Sequence, residues 1–156
     1  MRLFLLFVCC VLMSCRLNIN ADKHDLEYVK TEVRDMINNY YDDIRAKGLM
    51  AEFKYLDSSE QFFWVPPGYT SAISYDSVKK AISKNAMLFK HVNNSWDTLR
   101  IIPLSAELAN YTGIVKSEIT LQNDSVMHMR MIETGVVIKR DGNWKLLSGQ
   151  TSMLSN

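Results

Sequence analysis

The sequence predicts an α+β domain: three N-terminal helices packed on a strongly curved antiparallel sheet. Three observations carry this. Apolar residues recur every three or four positions from Asp25 to Lys47, the period changes to two beyond Ser95, and turn residues divide the two-period part into four segments. The 156 residues are 47% hydrophobic and 22% charged, enough for one domain with a real core and unlike a disordered or multi-span membrane chain. Lys and Arg number 18 against 17 Asp and Glu, so no bulk positive field exists to grip nucleic acid, and none is expected as a partner.

The N-terminus reads as an address. Arg2 precedes an uninterrupted apolar run, Leu3 to Met13, of signal-peptide length and well short of the roughly 20 residues that span a bilayer. Leu12, Met13, Ser14 and Cys15 then resemble the bacterial lipobox, in which the cysteine becomes the lipidated first residue of the mature chain. The expected organisation is a signal peptide at 1–14, a lipidated N-terminus and linker at 15–21, and a domain at 22–156. The expected location is the bacterial envelope, on the periplasm-facing side of the outer membrane. Cleavage removes Cys9 and Cys10 and acylation occupies Cys15, so no thiol remains for a disulfide. Several acyl chains on Cys15 would anchor the chain durably, each buried methylene contributing about 0.8 kcal/mol.

The first helix, Asp25 to Lys47, carries Leu26, Val29, Val33, Met36, Ile37, Tyr40 and Ile44 on one stripe. Asp22 or Asp25 suits its N-cap and Gly48 its left-handed stop. A second short helix is expected over Leu49 to Leu56. Gln61 to Val65 reads as a short strand, followed by Pro67-Gly68 in a type II turn. Ser74 opens a third helix, about Tyr75 to His91, with Val78, Ala81, Ile82, Leu88 and Phe89 inward, and Asn93 and Asn94 break it. Strands come next at Trp96 to Leu108, Tyr111 to Leu121, Val126 to Lys139 and Trp144 to Ser152, separated by Ala109-Asn110, Asn123-Asp124 and Asp141-Gly142. A bent sheet wrapped on amphipathic helices leaves a conical space whose wide end is a pocket.

This element order resembles the nuclear transport factor 2-like superfamily, which includes ketosteroid isomerase, scytalone dehydratase and polyketide cyclases. The resemblance covers about Asp25 to Ser152. It is most specific over Gly135 to Ser152, GVVIKRDGNWKLLSGQTS, with Tyr111-Thr112-Gly113 and Phe63-Trp64-Val65-Pro66 in matching places. It implies a cone-shaped fold, a pocket and dimerisation through the sheet. Members often carry His two residues before the last Ser. Here Gln150 stands before Ser152, and an amide can orient a ligand but cannot exchange a proton near neutral pH.

These placements suggest candidate chemistry. Glu133 shares strand parity with Met127, Met129 and Met131, so it faces the apolar side, where desolvation raises a carboxyl toward the range of a general base. Tyr40, on the first helix stripe, is the matching hydrogen-bond donor. Trp64, Trp96, Met129 and Gln150 are the candidate ligand-binding residues. His24, His91 and His128 share no ligand spacing, so no metal site is expected, and the absence of a Gly-rich phosphate loop, a nucleophile elbow or a Cys-x-x-Cys pair gives no cofactor.

The sequence thus reads as an envelope-anchored module whose pocket binds a small apolar or amphipathic molecule or a partner peptide, without catalysis. The alternative is an isomerase, dehydratase or cyclase of ketosteroid isomerase type using Glu133. Ile101, Ile102, Leu104, Ala106 and Leu108 place apolar residues on both parities, as in a strand covered on both faces, and a homodimer is expected.

Overall fold

The computed structural model describes residues 19–155, with side chains from residue 25 onward. The expected signal segment, the lipidation site Cys15 and residues 16–18 of the linker lie outside the described residues.

Helix α1 spans Ile19–Lys47 and so begins earlier than the periodicity suggested. Ile19, Asn20 and Ala21, expected in the linker, are helical, and Asp22, His24 and Asp25 are interior rather than flanking. No Gly or Pro interrupts this stretch, so nothing in the local chemistry stops the helix from extending backward. The buried stripe is Val29, Val33, Met36, Ile37, Tyr40, Tyr41 and Ile44, while Leu26 stays at the surface. The helix ends at Gly48, whose φ of 83° suits glycine and whose N–H donates to Ile44 O at 2.8 Å.

The expected second helix is a 3-10 helix, Leu49–Lys54. It stops before Leu56 because the backbone there bonds elsewhere: Leu146 N–H donates to Tyr55 O at 2.7 Å, and Asp57 N–H to Leu146 O at 2.8 Å. Tyr55 Oη donates to Asp43 Oδ2 at 2.6 Å, which pins the segment to α1. Arg140 Nε donates to the buried Asp57 carboxylate at 3.0 Å and ties the segment to the sheet.

Strand β1 is Phe63–Val65. The turn after it is as expected: Gly68 has φ 82°, and Tyr69 N–H donates to Pro66 O at 3.1 Å. Helix α2, Tyr75–Ala86, is shorter than its apolar pattern implied. Leu88 and Phe89 are not helical, because strand β2 (Phe89–Pro103) already pairs with β3 (Leu108–Leu121) at Phe89↔Leu121 and Val92↔Ile119. Asn93 and Asn94 therefore sit inside a strand, and Ala109-Asn110 lies inside β3. The chain turns at 104–107, where Leu108 O accepts from the N–H groups of Leu104 and Ser105.

Strands β4 (Val126–Arg140) and β5 (Asn143–Met153) complete a sheet of order β1-β5-β4-β3-β2. Strands β2 to β5 form the expected antiparallel meander, but β1 runs parallel to β5, so the five-stranded sheet is mixed. Asp141 (φ 50°) and Gly142 (φ 76°) both take positive φ, as a type I′ hairpin requires. The strong curling expected of the sheet is not found; the departures from regularity are three register shifts, between Phe89 and His91, Trp96 and Thr98, and Val136 and Val137.

The core lies between α1, α2, the 3-10 helix and the inner sheet face, where Ala109, Tyr111, Val115, Met131, Val137 and Leu146 are buried. Ile101 is buried but Ile102 and Leu104 are exposed, so this strand is covered on one face of the isolated chain, not on both. Among the described residues, no helix is long and apolar enough to cross a membrane.

Candidate functional site

Helix α1 crosses the sheet from the β4–β5 hairpin, where Glu32 accepts from Lys139 Nζ and Trp144 Nε1, to the start of β2, where Arg45 donates to Asn93. The far ends of β3 and β4 are roofed instead by α2, which buries only Val78 and Ile82. The space left is a cavity of about 560 Å³. Its walls come from Leu56, Phe62, Trp64, Tyr69, Phe89 and Val92, with Ile119, Met129 and Met131 from the sheet. Against these apolar walls stand two carboxyls, Glu52 from the 3-10 helix and Glu133 from β4.

Glu133 is buried at 8% exposure and caged by hydroxyls. Tyr111 Oη donates to its Oε1 at 2.8 Å; Thr151 Oγ1 (3.3 Å) and Tyr41 Oη (3.5 Å) approach Oε2. Register explains the cage: Thr151 lies directly opposite Glu133, and Tyr111 is paired with Gly135, two residues along the same face. A Cβ on Gly135 would lie 2.8 Å from the Tyr111 ring, so glycine makes room for the ring to lie flat and reach the carboxyl. Burial pushes the Glu133 pKa up, and the hydroxyl bonds from Tyr111, Thr151 and Tyr41 partly offset it.

Glu52 has a different setting. It is partly buried, and its Oε1 accepts from Tyr40 Oη at 2.8 Å. Burial raises its pKa to about 7; the Tyr40 bond opposes the rise and the charge of Glu133 adds to it. Burial first, and then the nearby carboxylates, hold Tyr40, Tyr41 and Tyr111 well above the ordinary phenol value, so all three remain protonated donors.

The structure brings together Glu133, Tyr40, Trp64 and Met129 as lining of this one cavity. Trp64 lies across Gly149 and donates Nε1–H to Thr151 Oγ1 at 3.2 Å. Two expected ligand residues fall elsewhere. Trp96 does not line the cavity: it stacks on Tyr41 at 5.2 Å, meets Tyr111 edge-on at 6.0 Å and fills the space over Gly113. Gln150 is exposed, because Leu147 is an extra residue in the β4–β5 register that reverses the facing of the residues after it; Thr151 faces inward in its place. Glu52 was not anticipated. Its only signal was a lone acid in the apolar segment Leu49-Met50-Ala51-Glu52-Phe53. His128 points outward beside Glu118, as its parity required. Among the described residues, no group of three or more His, Cys, Asp or Glu side chains is placed to hold a metal ion.

No family model and no curated protein matches the sequence. Solved structures do match in fold. One titled as a putative scytalone dehydratase from Novosphingobium aromaticivorans superposes with TM-score 0.73 at 16% identity, covering 85% of this chain and 89% of its own. A nuclear transport factor 2-like superfamily protein from Salmonella enterica serovar Typhimurium gives 0.70 at 15%, covering 83% and 94%. A hexachlorocyclohexane dehydrochlorinase from Novosphingobium barchaimii gives 0.67 at 13%, covering 85% and 91%.

Proposed function

We propose that this chain, which has the nuclear transport factor 2-like fold, is an envelope-tethered pocket protein that binds a small apolar or amphipathic molecule with its polar end at Glu52 and Glu133. The observation that carries the reading is the cavity itself. A volume of about 560 Å³ with aromatic and methionine walls and a few convergent polar groups is the form of a small-molecule site. Native mass spectrometry of protein purified from its own host tests it. The expected result is a retained molecule that is lost when Ile82→Trp fills the cavity; bare protein mass for both forms contradicts it.

The tether is Cys15. Its substitution by alanine is expected to move the protein from the membrane fraction to the soluble fraction, and unchanged partitioning argues against lipidation. Two copies pair through the outer sheet face, where Ile102 and Ile132 are exposed, so sedimentation is expected to give twice the chain mass.

A second reading, proton-transfer chemistry on the bound molecule, is favoured by one specific observation. Glu52 makes its hydrogen bond through one oxygen only, and its pKa of about 7 suits it to take up and return a proton at neutral pH. In that reading Glu52 is the base, in preference to Glu133, whose two oxygens are already engaged by hydroxyls. Tyr40 orients the Glu52 carboxyl through its hydrogen bond, and the reaction class is isomerase, dehydratase or cyclase. Exchange of solvent deuterium into the retained molecule, abolished in Glu52→Gln, is the expected signature; equal exchange in both proteins removes this reading and leaves binding.

A further inference from the structure

We infer that the cavity selects a molecule whose apolar body ends in a protonated amine, over the same body ending in an alcohol or a carboxylate. The inference rests on the pocket reading above and specifies its ligand class.

The hydroxyl and indole donors around the two acids are already committed. The hydroxyls of Tyr40, Tyr41, Tyr111 and Thr151 are directed at carboxylate oxygens, and the Trp64 N–H is directed at Thr151. An acceptor remains over. Glu52 receives the Tyr40 bond at one oxygen and leaves the other without a side-chain partner. A buried acceptor without a donor carries a desolvation cost that an incoming N–H group removes. The wall has acids at Glu52 and Glu133, while its cation, Lys84, is exposed on α2.

An ammonium brings three donors and the complementary charge; an alcohol brings one donor and no charge; a carboxylate brings only acceptors and repels both acids. The flanking walls suit the same choice, because the faces of Phe62, Trp64, Tyr69 and Phe89 carry the negative quadrupole that attracts a cation.

The test uses the full chain with isotopically labelled methionine methyl groups and three probes of one body: phenylpropylamine, phenylpropanol and phenylpropanoate, titrated at neutral pH. Met129 and Met131 line the cavity, whereas Met153 is exposed and does not, so their methyl signals show where each probe binds. The expected result is movement of Met129 and Met131 with the amine binding about tenfold or more tighter than the alcohol and the carboxylate weakest. Glu52→Gln is expected to erase the preference for the amine by weakening the amine far more than the alcohol. Binding of the alcohol or carboxylate as tightly as the amine overturns the inference and leaves the pocket reading standing. Failure of all three probes to move Met129 and Met131 overturns the pocket reading, and the inference with it.

Discussion

Glu133 and Glu52 border the same cavity, yet they occupy opposite kinds of place. Around Glu133 the sheet is packed to contact: Tyr111 lies on Gly135, Trp96 on Gly113, and Tyr41 stacks on Trp96, so the carboxyl is fixed by side chains that cannot move independently. Around Glu52 the chain is a single 3-10 helix with no buried residue of its own, held through Tyr55 and Asp57 at its end. One acid is structural in its surroundings; the other keeps an oxygen for whatever enters. The difference shows that burial alone does not mark a working carboxyl. In the proposed reading, the number of hydrogen-bonding positions left unfilled does.

Substitutions at the two acids and their partners sharpen that contrast. The largest effect is expected at Gly135→Ala, where the new methyl meets the Tyr111 ring at 2.8 Å and the Ser148 carbonyl oxygen at 2.9 Å. Overpacking against a strand backbone should cost about 3 kcal/mol, read as a lower denaturation midpoint. Tyr111→Phe removes the shortest bond to the buried Glu133 carboxyl and is expected to cost about 2 kcal/mol in the same assay.

Glu52→Gln acts through pH. A carboxyl whose folded pKa is raised from 4.5 to about 7 binds its proton more tightly in the native state, so its contribution to stability is full below pH 4.5 and is lost as pH rises to 7. Against the background of the other groups, wild type is therefore expected to lose roughly 2 kcal/mol more than Glu52→Gln between those limits, and identical pH profiles would remove the contrast. Tyr40→Phe is expected to be the mildest, about 1 kcal/mol or less, because Glu52 is only partly buried and water in the cavity can replace the lost donor.

The legible parts of the molecule were those in which local chemistry and tertiary structure agree. Period-two alternation located β3, β4 and β5, and with it the inward facing of Glu133 and Met129; Asp141-Gly142 and Pro67-Gly68 named their own turns. The illegible parts were decided by pairing. Leu88 and Phe89 continue the helical phase of α2, and only the bond of Gln122 N–H to Leu88 O and the pairing of Phe89 with Leu121 turn the chain out of the helix and start a strand at Phe89. The parallel pairing of β1 with β5 joins segments too far apart for any local pattern to show. One unpaired residue, Leu147, turned Gln150 outward and Thr151 inward, which strict alternation cannot foresee. Trp96 reads like Trp64 as an isolated aromatic. It is the glycine opposite each ring, Gly113 or Gly149, together with the neighbouring helix, that makes one core and the other cavity wall.

Both the binding and the proton-transfer readings require the Glu52 carboxyl to face the largely apolar cavity beside a second buried acid. Carbon-13 labelling of the glutamate side chains and an NMR pH titration measure this at the carboxyl itself. The expected midpoint for Glu52 is about 7, moving when the cavity is filled by phenylpropylamine. A midpoint at the ordinary 4.5, unmoved by the amine, would mean that Glu52 faces bulk water and that the cavity is not the working site.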